Sequence, residues 1–520
     1  MPSRFARRLL ALGNSAQGVL AGGLRGLEKE ALRVRPDGRL ADTAHPLALG
    51  SALTHEYITT DYSEALLEFV TPAMPSSVEV LELLSDIHRF TCQALGDELL
   101  WATSMPCMLS GDEGVPLARY GPSNVGRMKT IYRRGLGWRY GRVMQTISGV
   151  HFNYSVPEQF WPVFAELEGR PQASDALRSE TYMGLVRNFH RIGWLTLYLF
   201  GASPAVCRSF FRGREAQLEA FDSGTVYTPW STSLRMSDLG YQNKSQARLD
   251  ISLNSLEDYI TALTEAIRTP HPDYRHIGVI VDGEYRQLSA NWLQIENEYY
   301  SLIRPKRVAR SGERPTQALR RGGVQYVEVR ALDVSAFDPV GVNLDQLRFM
   351  EALLIYCLLD ESPPIDSAEQ SALERNHRRV AREGRRPGLT LERDGGEIAL
   401  AEWAAEILEG VGAVAELLDA AGDGSFGRAV VLQREALREP ERLPSARILS
   451  EMRARNESFF QFAMRMSQVH HEAFAAAAPS PEIARHLVEE ARASLARQAA
   501  IEAEPQAAFE EYLAAYYAAD

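Results

Sequence analysis

The chain is short of several things, and each shortage removes a class of function. It has only four cysteines in 520 residues, Cys92, Cys107, Cys207 and Cys357, and none forms a CxxC pair. That spacing argues against a disulfide scaffold or a zinc knuckle and predicts buried thiols in a reducing cytoplasm. An excess of positive charge is also missing. The net charge is −12 and the pI is near 5.6, which disfavours nucleic-acid and anionic-membrane partners because both demand a positive surface field. No apolar run reaches the ~18 residues needed to cross a bilayer. The longest, around Trp194 to Val206, is interrupted by Gly201 and Pro204. Near the start, Arg4, Arg7 and Arg8 precede Leu9, Leu10 and Leu12, but Gly13-Asn14-Ser15 ends that run. An amphipathic first helix is expected there rather than a secretory leader. Neither a GxGxxG nor a P-loop spacing occurs in the Gly-rich stretch 121–141, so a Walker-type NTPase is not indicated.

What the chain does have is a set of short polar-faced segments that read as strands. They are RGLEKEALRV (25–34), the stretch from Asp61 to Glu68, GVHFNYS (149–155) and YVEVRALDV (326–334). Alternate residues of an extended chain point the same way. Glu28 and Glu30 then share a face, as do Glu328 and Arg330, with Val327 and Val329 on the opposite side. Around Asp61, Glu64 and Glu68 the pattern fits either a strand or a helix. Together these segments present Glu28, Glu30, Asp61, Glu68, Glu328 and His151. Two like charges about 4 Å apart repel by roughly 4 kcal/mol at an effective dielectric near 20. Acids gathered in this number call for cations, and carboxylates joined by one imidazole suit Mg²⁺ or Mn²⁺ better than structural zinc.

Other segments offer donors. Arg127, Lys129, Arg133 and Arg134 are of the type that cradles phosphate. Arg235, Tyr241 and Tyr300 combine carboxylate-binding groups with rigid rings. Helical stripes run from Val78 to Leu95 and from Leu256 to Ile267. Residues 1–340 read as a sheet-and-helix core and 341–520 as a mainly helical region packed on it. Tyr512, Leu513, Tyr516 and Tyr517 predict that the tail after Pro505 docks.

These residues converge on a family. RGLEKEALRV, GSALTHEYITTDYSEALLEFVTP, SNVGRMKTIYRRGL, MQTISGVHFNYS, LFGASPAVC, LRMSDLGYQNKSQ, LQIENEYYSLIRPKR, RGGVQYVEVRALD and GRRPGLTL resemble glutamate–cysteine ligase (gamma-glutamylcysteine synthetase) of the class found in many Gram-negative bacteria. The likeness covers about residues 20–395; segment 396–520 matches poorly. It implies an α+β fold similar to glutamine synthetase, with a curved, mostly antiparallel sheet forming a funnel. It implies ATP-dependent joining of the L-glutamate side-chain carboxylate to the L-cysteine amine through a γ-glutamyl phosphate, in the cytoplasm, by a monomer or weak oligomer. It places metal ligands on Glu28, Glu30, Asp61, Glu68, His151 and Glu328. The cysteine pocket would fall on Tyr132, Tyr241 and Tyr300 with Arg235 nearby, and the phosphate-facing cations on Arg133, Arg330 and Lys129.

Overall fold

The computed structural model describes residues 3–15, 18–211, 217–240, 249, 251–310, 312–420 and 422–518. Its centre is a seven-stranded antiparallel sheet. The strands are β1 (Leu24–Val34), β2 (Ile58–Thr60), β3 (Leu66–Val70), β4 (Leu99–Leu100), β5 (Gly149–Ser155), β6 (Ile303–Lys306) and β7 (Tyr326–Asp333). The main path runs β6-β7-β5-β1-β3-β2, and β4 pairs with the far end of β1.

The alternation read from the sequence decides which side of this sheet is packed. Leu27 and Ala31 on β1, Phe69 on β3, Phe152 on β5 and Val327 and Val329 on β7 are buried in one apolar cluster. That cluster extends to α1 (Arg4–Ser15), α2 (Ser77–Ala94), α4 (Asp175–Ile192), α5 (Leu344–Leu359) and α6 (Leu400–Asp419). Helix α5 is apolar around most of its circumference, which suits its place among α2, α4 and α6. Its one deeply buried acid, Glu351, is paired with Arg25 of β1, as a buried charge must be. The opposite face of the sheet carries the acids.

Two local expectations change, and a stretch read only for its charge takes a definite form. The 58–72 stretch is neither one strand nor one helix: β2 and β3 are separate strands joined by a turn over 61–65. Glu64 sits in that turn and is buried, its carboxylate accepting the backbone N–H groups of His45 and Arg119 at 3.0 and 2.9 Å. It staples loops together and leaves the sheet face to Glu68. The basic, Gly-rich stretch forms a helix, α3 (Asn124–Tyr140), capped at Ser123, whose side chain accepts from Gly126 N–H. The cysteine reading needs correction as well. Cys107 and Cys207 form a disulfide with Cα atoms 5.3 Å apart, while Cys92 and Cys357 are buried free thiols. A separation of 100 residues hid the pair, because the fold and not the sequence spacing brings the two backbones within bridging distance.

Behind the sheet, α7 (Phe459–Ala475) and α8 (Pro481–Ala503) pack on α2, and α9 (Phe509–Ala518) lies on α3. The tail after Pro505 docks as its aromatics predict. Among the described residues, no helix is long and apolar enough to cross a membrane.

Candidate active site

The register of the sheet assembles the site. Glu28 stands opposite His151 on β5, and Glu30 opposite Glu68 on β3. On the other side Glu328 stands between Asn153 of β5 and Arg304 of β6. Neighbouring side chains on one face of paired strands are about 5 Å apart. Five strands therefore contribute to one floor, and a cavity of about 850 Å³ opens above it. Glu28, Glu30, Asp61, Glu68, Tyr132, Arg133, His151, Arg235, Tyr300, Glu328 and Arg330 all line that cavity. Tyr241 lies outside the described residues. Lys129 is not on the cavity wall: its ammonium rests 5.1 Å from the centre of the Tyr120 ring.

The floor is divided by charge. Across β5, β1 and β3 it is acidic. One ligand atom each from Glu28, Glu68 and His151 lie within 4.8 Å of one another. His151 Nδ1 is 3.0 Å from Glu28 Oε2, and its Nε2 is 3.7 Å from Glu30 Oε1. Burial pushes the Glu68 carboxyl well above the usual carboxylate range, and Asp61, Glu28 and Glu30 add repulsion. Glu30 is raised for the same reasons, burial first and Asp61 second. Carboxylates that repel one another beside a single imidazole are what a hard divalent cation relieves, and the donor set fits Mg²⁺ or Mn²⁺.

Across β7 and β6 the floor turns cationic. Glu328 has Lys306 Nζ at 3.2 Å, Arg330 Nη1 at 3.4 Å and Arg304 Nη1 at 4.0 Å. Burial opposes its ionisation, yet these three cations hold it well below the carboxylate range. Glu28 sits at the boundary. Burial and Glu328 raise it, but the hydrogen bond and charge of His151 and the charge of Lys306 bring it below its ordinary value. Arg330 owes its position to a bulge in β7, where the register with β5 shifts between Val329 and Leu332. Its Nε and those of Arg304 and Arg235 are buried without a hydrogen-bond partner. Orphaned donors at a cavity wall are positioned to receive an anion.

The third wall is helical. Arg133 donates from Nε to the Asp61 carbonyl and stacks 4.6 Å from the Tyr120 ring centre. Of the other basic residues on α3, Arg127 covers Phe509 at 4.4 Å and Arg134 donates to the Tyr285 carbonyl at 2.6 Å, so neither serves the cavity. Arg235 is buried, donating to the Arg330 carbonyl at 3.0 Å and lying 3.5 Å from Asp333. The residues missed in the sequence are Arg304, Lys306, Arg139 and Glu298, all on the cavity wall. Arg304 and Lys306 alternate in IRPKR as Glu328 and Arg330 do in VEVR. That period was the available signal.

The comparisons with known proteins decide the family. A model of the glutamate–cysteine ligase family matches residues 9–380. The chain belongs to the glutamate–cysteine ligase family. A glutamate–cysteine ligase of Azotobacter vinelandii is 50% identical over 524 residues, covering 100% of this chain and 99% of that protein. One of Pseudomonas entomophila is 50% identical over 514 residues, covering 98% and 97%. The solved glutamate–cysteine ligase of Francisella tularensis, in complex with AMP, superposes with a TM-score of 0.90 at 35% identity, covering 96% of this chain and 98% of that one. The protein is thus an α+β enzyme of the ligase class, and the activity that goes with the family is synthesis of γ-glutamylcysteine, the first step of glutathione biosynthesis.

Proposed function

We propose that this cavity activates the side-chain carboxylate of L-glutamate with ATP and passes the acyl group to the amine of L-cysteine, in the cytoplasm. The observation that carries the reading is the charge division of the floor. A triad of two carboxylates and an imidazole, Glu28, Glu68 and His151, lies beside a cationic group of Arg304, Lys306 and Arg330 on the adjoining strands. Such a floor accepts a nucleotide triphosphate and its counter-ions together.

The chemistry follows from leaving groups. A carboxylate is a poor acyl donor because oxide would have to depart. Attack of the glutamate side-chain oxygen on the γ-phosphorus of ATP breaks the bond to ADP and forms γ-glutamyl phosphate. The cysteine nitrogen then attacks the acyl carbon, inorganic phosphate leaves, and the nitrogen gives up a proton to a base. Mg²⁺ or Mn²⁺ held by Glu28, Glu30, Asp61, Glu68, His151 and Glu328 would supply charge neutralisation for the polyphosphate. Arg330 and Arg133, with Arg304 and Lys306, stabilise charge on the moving phosphoryl group. Tyr132, Tyr300 and Arg235 are assigned to the cysteine pocket, together with Tyr241. Phe210, Phe211 and Leu239 line the same cavity and lower its polarity, which protects the acyl phosphate from water. The chain acts as a monomer or weak oligomer. Its charge of −12 supports small-molecule substrates over nucleic acid or a membrane surface.

A second reading keeps the fold and changes the amine acceptor. ADP release from ATP and glutamate, measured with a panel of amino acids, separates the two. Cysteine should give the highest kcat/KM, with 2-aminobutyrate also used, because one apolar-sized contact discriminates by only about 10–200-fold. Faster turnover with an unrelated amine would replace cysteine in the account.

A further inference from the structure

The last helix lies outside the stretch matched by the family model, yet it is tied to the wall of the cavity. Helix α9 buries Phe509 and Leu513 in a small cluster with Met128 and Ile131 of α3 and Leu288. The segment before it holds the start of α3: Asn124 N–H donates to Gln506 Oε1 at 3.1 Å, and Asn124 Nδ2 donates to the Ala507 carbonyl at 2.9 Å. From the end of α9, Tyr517 Oη donates to the Gln294 carbonyl at 2.7 Å and Tyr516 Oη reaches Glu296 Oε2 at 3.3 Å.

Gln294 carries the contact inward. It is fully buried. Its Nε2 donates to the Tyr132 carbonyl at 3.2 Å, its Oε1 accepts from Leu288 N–H at 3.0 Å, and its own N–H donates to Glu298 Oε2 at 2.7 Å. Glu298 in turn accepts from Arg139 at 2.9 Å and from the Tyr140 hydroxyl at 2.5 Å, and all three line the cavity. Gly135 makes the approach feasible: a Cβ there would lie 2.1 Å from Gln294 Oε1. Two hydroxyls of the C-terminal helix therefore brace a segment that holds α3 in place at Tyr132 and again at its last turn.

We propose that α9 is a positioning element of the ligase: through Tyr516, Tyr517 and Gln294 it sets the placement of Tyr132 against the amine acceptor, while Arg133 on the same helix is anchored separately by the Asp61 carbonyl. This rests on the assignment of Tyr132 to the acceptor pocket. A reacting group held loosely loses rate or affinity steeply with displacement, and neither tyrosine touches the cavity itself.

The test is steady-state kinetics on the full chain carrying Tyr516→Phe and Tyr517→Phe together, which removes two hydroxyls and no packing. The KM for cysteine should rise about 3- to 10-fold, the range expected for loss of one or two ordinary hydrogen bonds, while kcat and the KM for ATP stay within about twofold. A KM for cysteine equal to wild type, or an equal loss in all three constants, overturns the inference. Deletion of residues 505–520 should exaggerate the same split. If the deleted chain fails to fold, the double variant alone decides. Wild-type protein that takes a different amine overturns the substrate reading instead, and the positioning role is then judged on the KM for that amine.

Discussion

Glu68 shows the conflict built into the site. Its carboxyl is raised by burial and by three neighbouring acids, so the metal-free fold resists its ionisation. Glu68→Gln removes that repulsion and should make the metal-free protein more stable while abolishing turnover. Divalent cation at about 100 times its dissociation constant should stabilise wild type by about 2.7 kcal/mol and the variant by much less. The cation-induced rise should also shrink as pH falls, because Glu30 and Glu68 must lose protons to bind. Thermal melts with and without Mg²⁺ across pH check both. Glu28→Gln and Glu328→Gln should each lower kcat by about two orders of magnitude or more with the fold intact, as read by circular dichroism and ADP release. Gly135→Ala tests the neighbouring wall. The Gln294 side chain is fully buried and its amide is held by two hydrogen bonds, so a new methyl must displace it and the variant should lose activity and melt earlier.

At the level of elements, the period of two in RGLEKEALRV, GVHFNYS and YVEVRALDV was enough to give strands and their charged face. It also separated Glu328 from Val327 and Val329, and the structure keeps that division. The 58–72 stretch was not legible because a tight turn has no period, and the turn removes Glu64 from the face that Glu68 keeps. In α3 the basic residues were visible but their directions were not. A helix disperses side chains around its axis, and only Arg133 of the four reaches the cavity. Lys129, half-buried beside Arg133, has its pKa lowered to about 8 from 10.5, loss of solvent first and the Arg133 charge second. Between about pH 8 and 10.5 the unfolded chain binds more protons than the folded one, so this residue makes stability rise with pH in that window. Below pH 8 its full penalty is felt. Lys129→Met should be more stable at pH 7 and should lose the slope, which urea titrations at pH 7 and 9.5 would reveal.

On the scale of the whole molecule, contacts far apart in sequence were the least readable. The charge division of the floor needs β6 placed beside β7, and IRPKR alone says nothing of its neighbour. The Cys107–Cys207 bridge is of the same kind. In protein denatured without reductant, thiol titration should count two groups, Cys92 and Cys357, and four after reduction. Replacing Cys107 and Cys207 by serine together should cost about 2–4 kcal/mol, because the bridge closes a loop of 100 residues in the unfolded chain.

The central claim is that the carboxylates of β1 and β3, with the imidazole of β5, hold divalent cations beside the arginines of β6 and β7. Anomalous diffraction from crystals grown with Mn²⁺ and a non-hydrolysable ATP analogue tests it most directly. The account predicts manganese within bonding distance of Glu28, Glu68 and His151, with the terminal phosphate turned toward Arg330. Manganese bound elsewhere, with those three side chains free of metal, would contradict it.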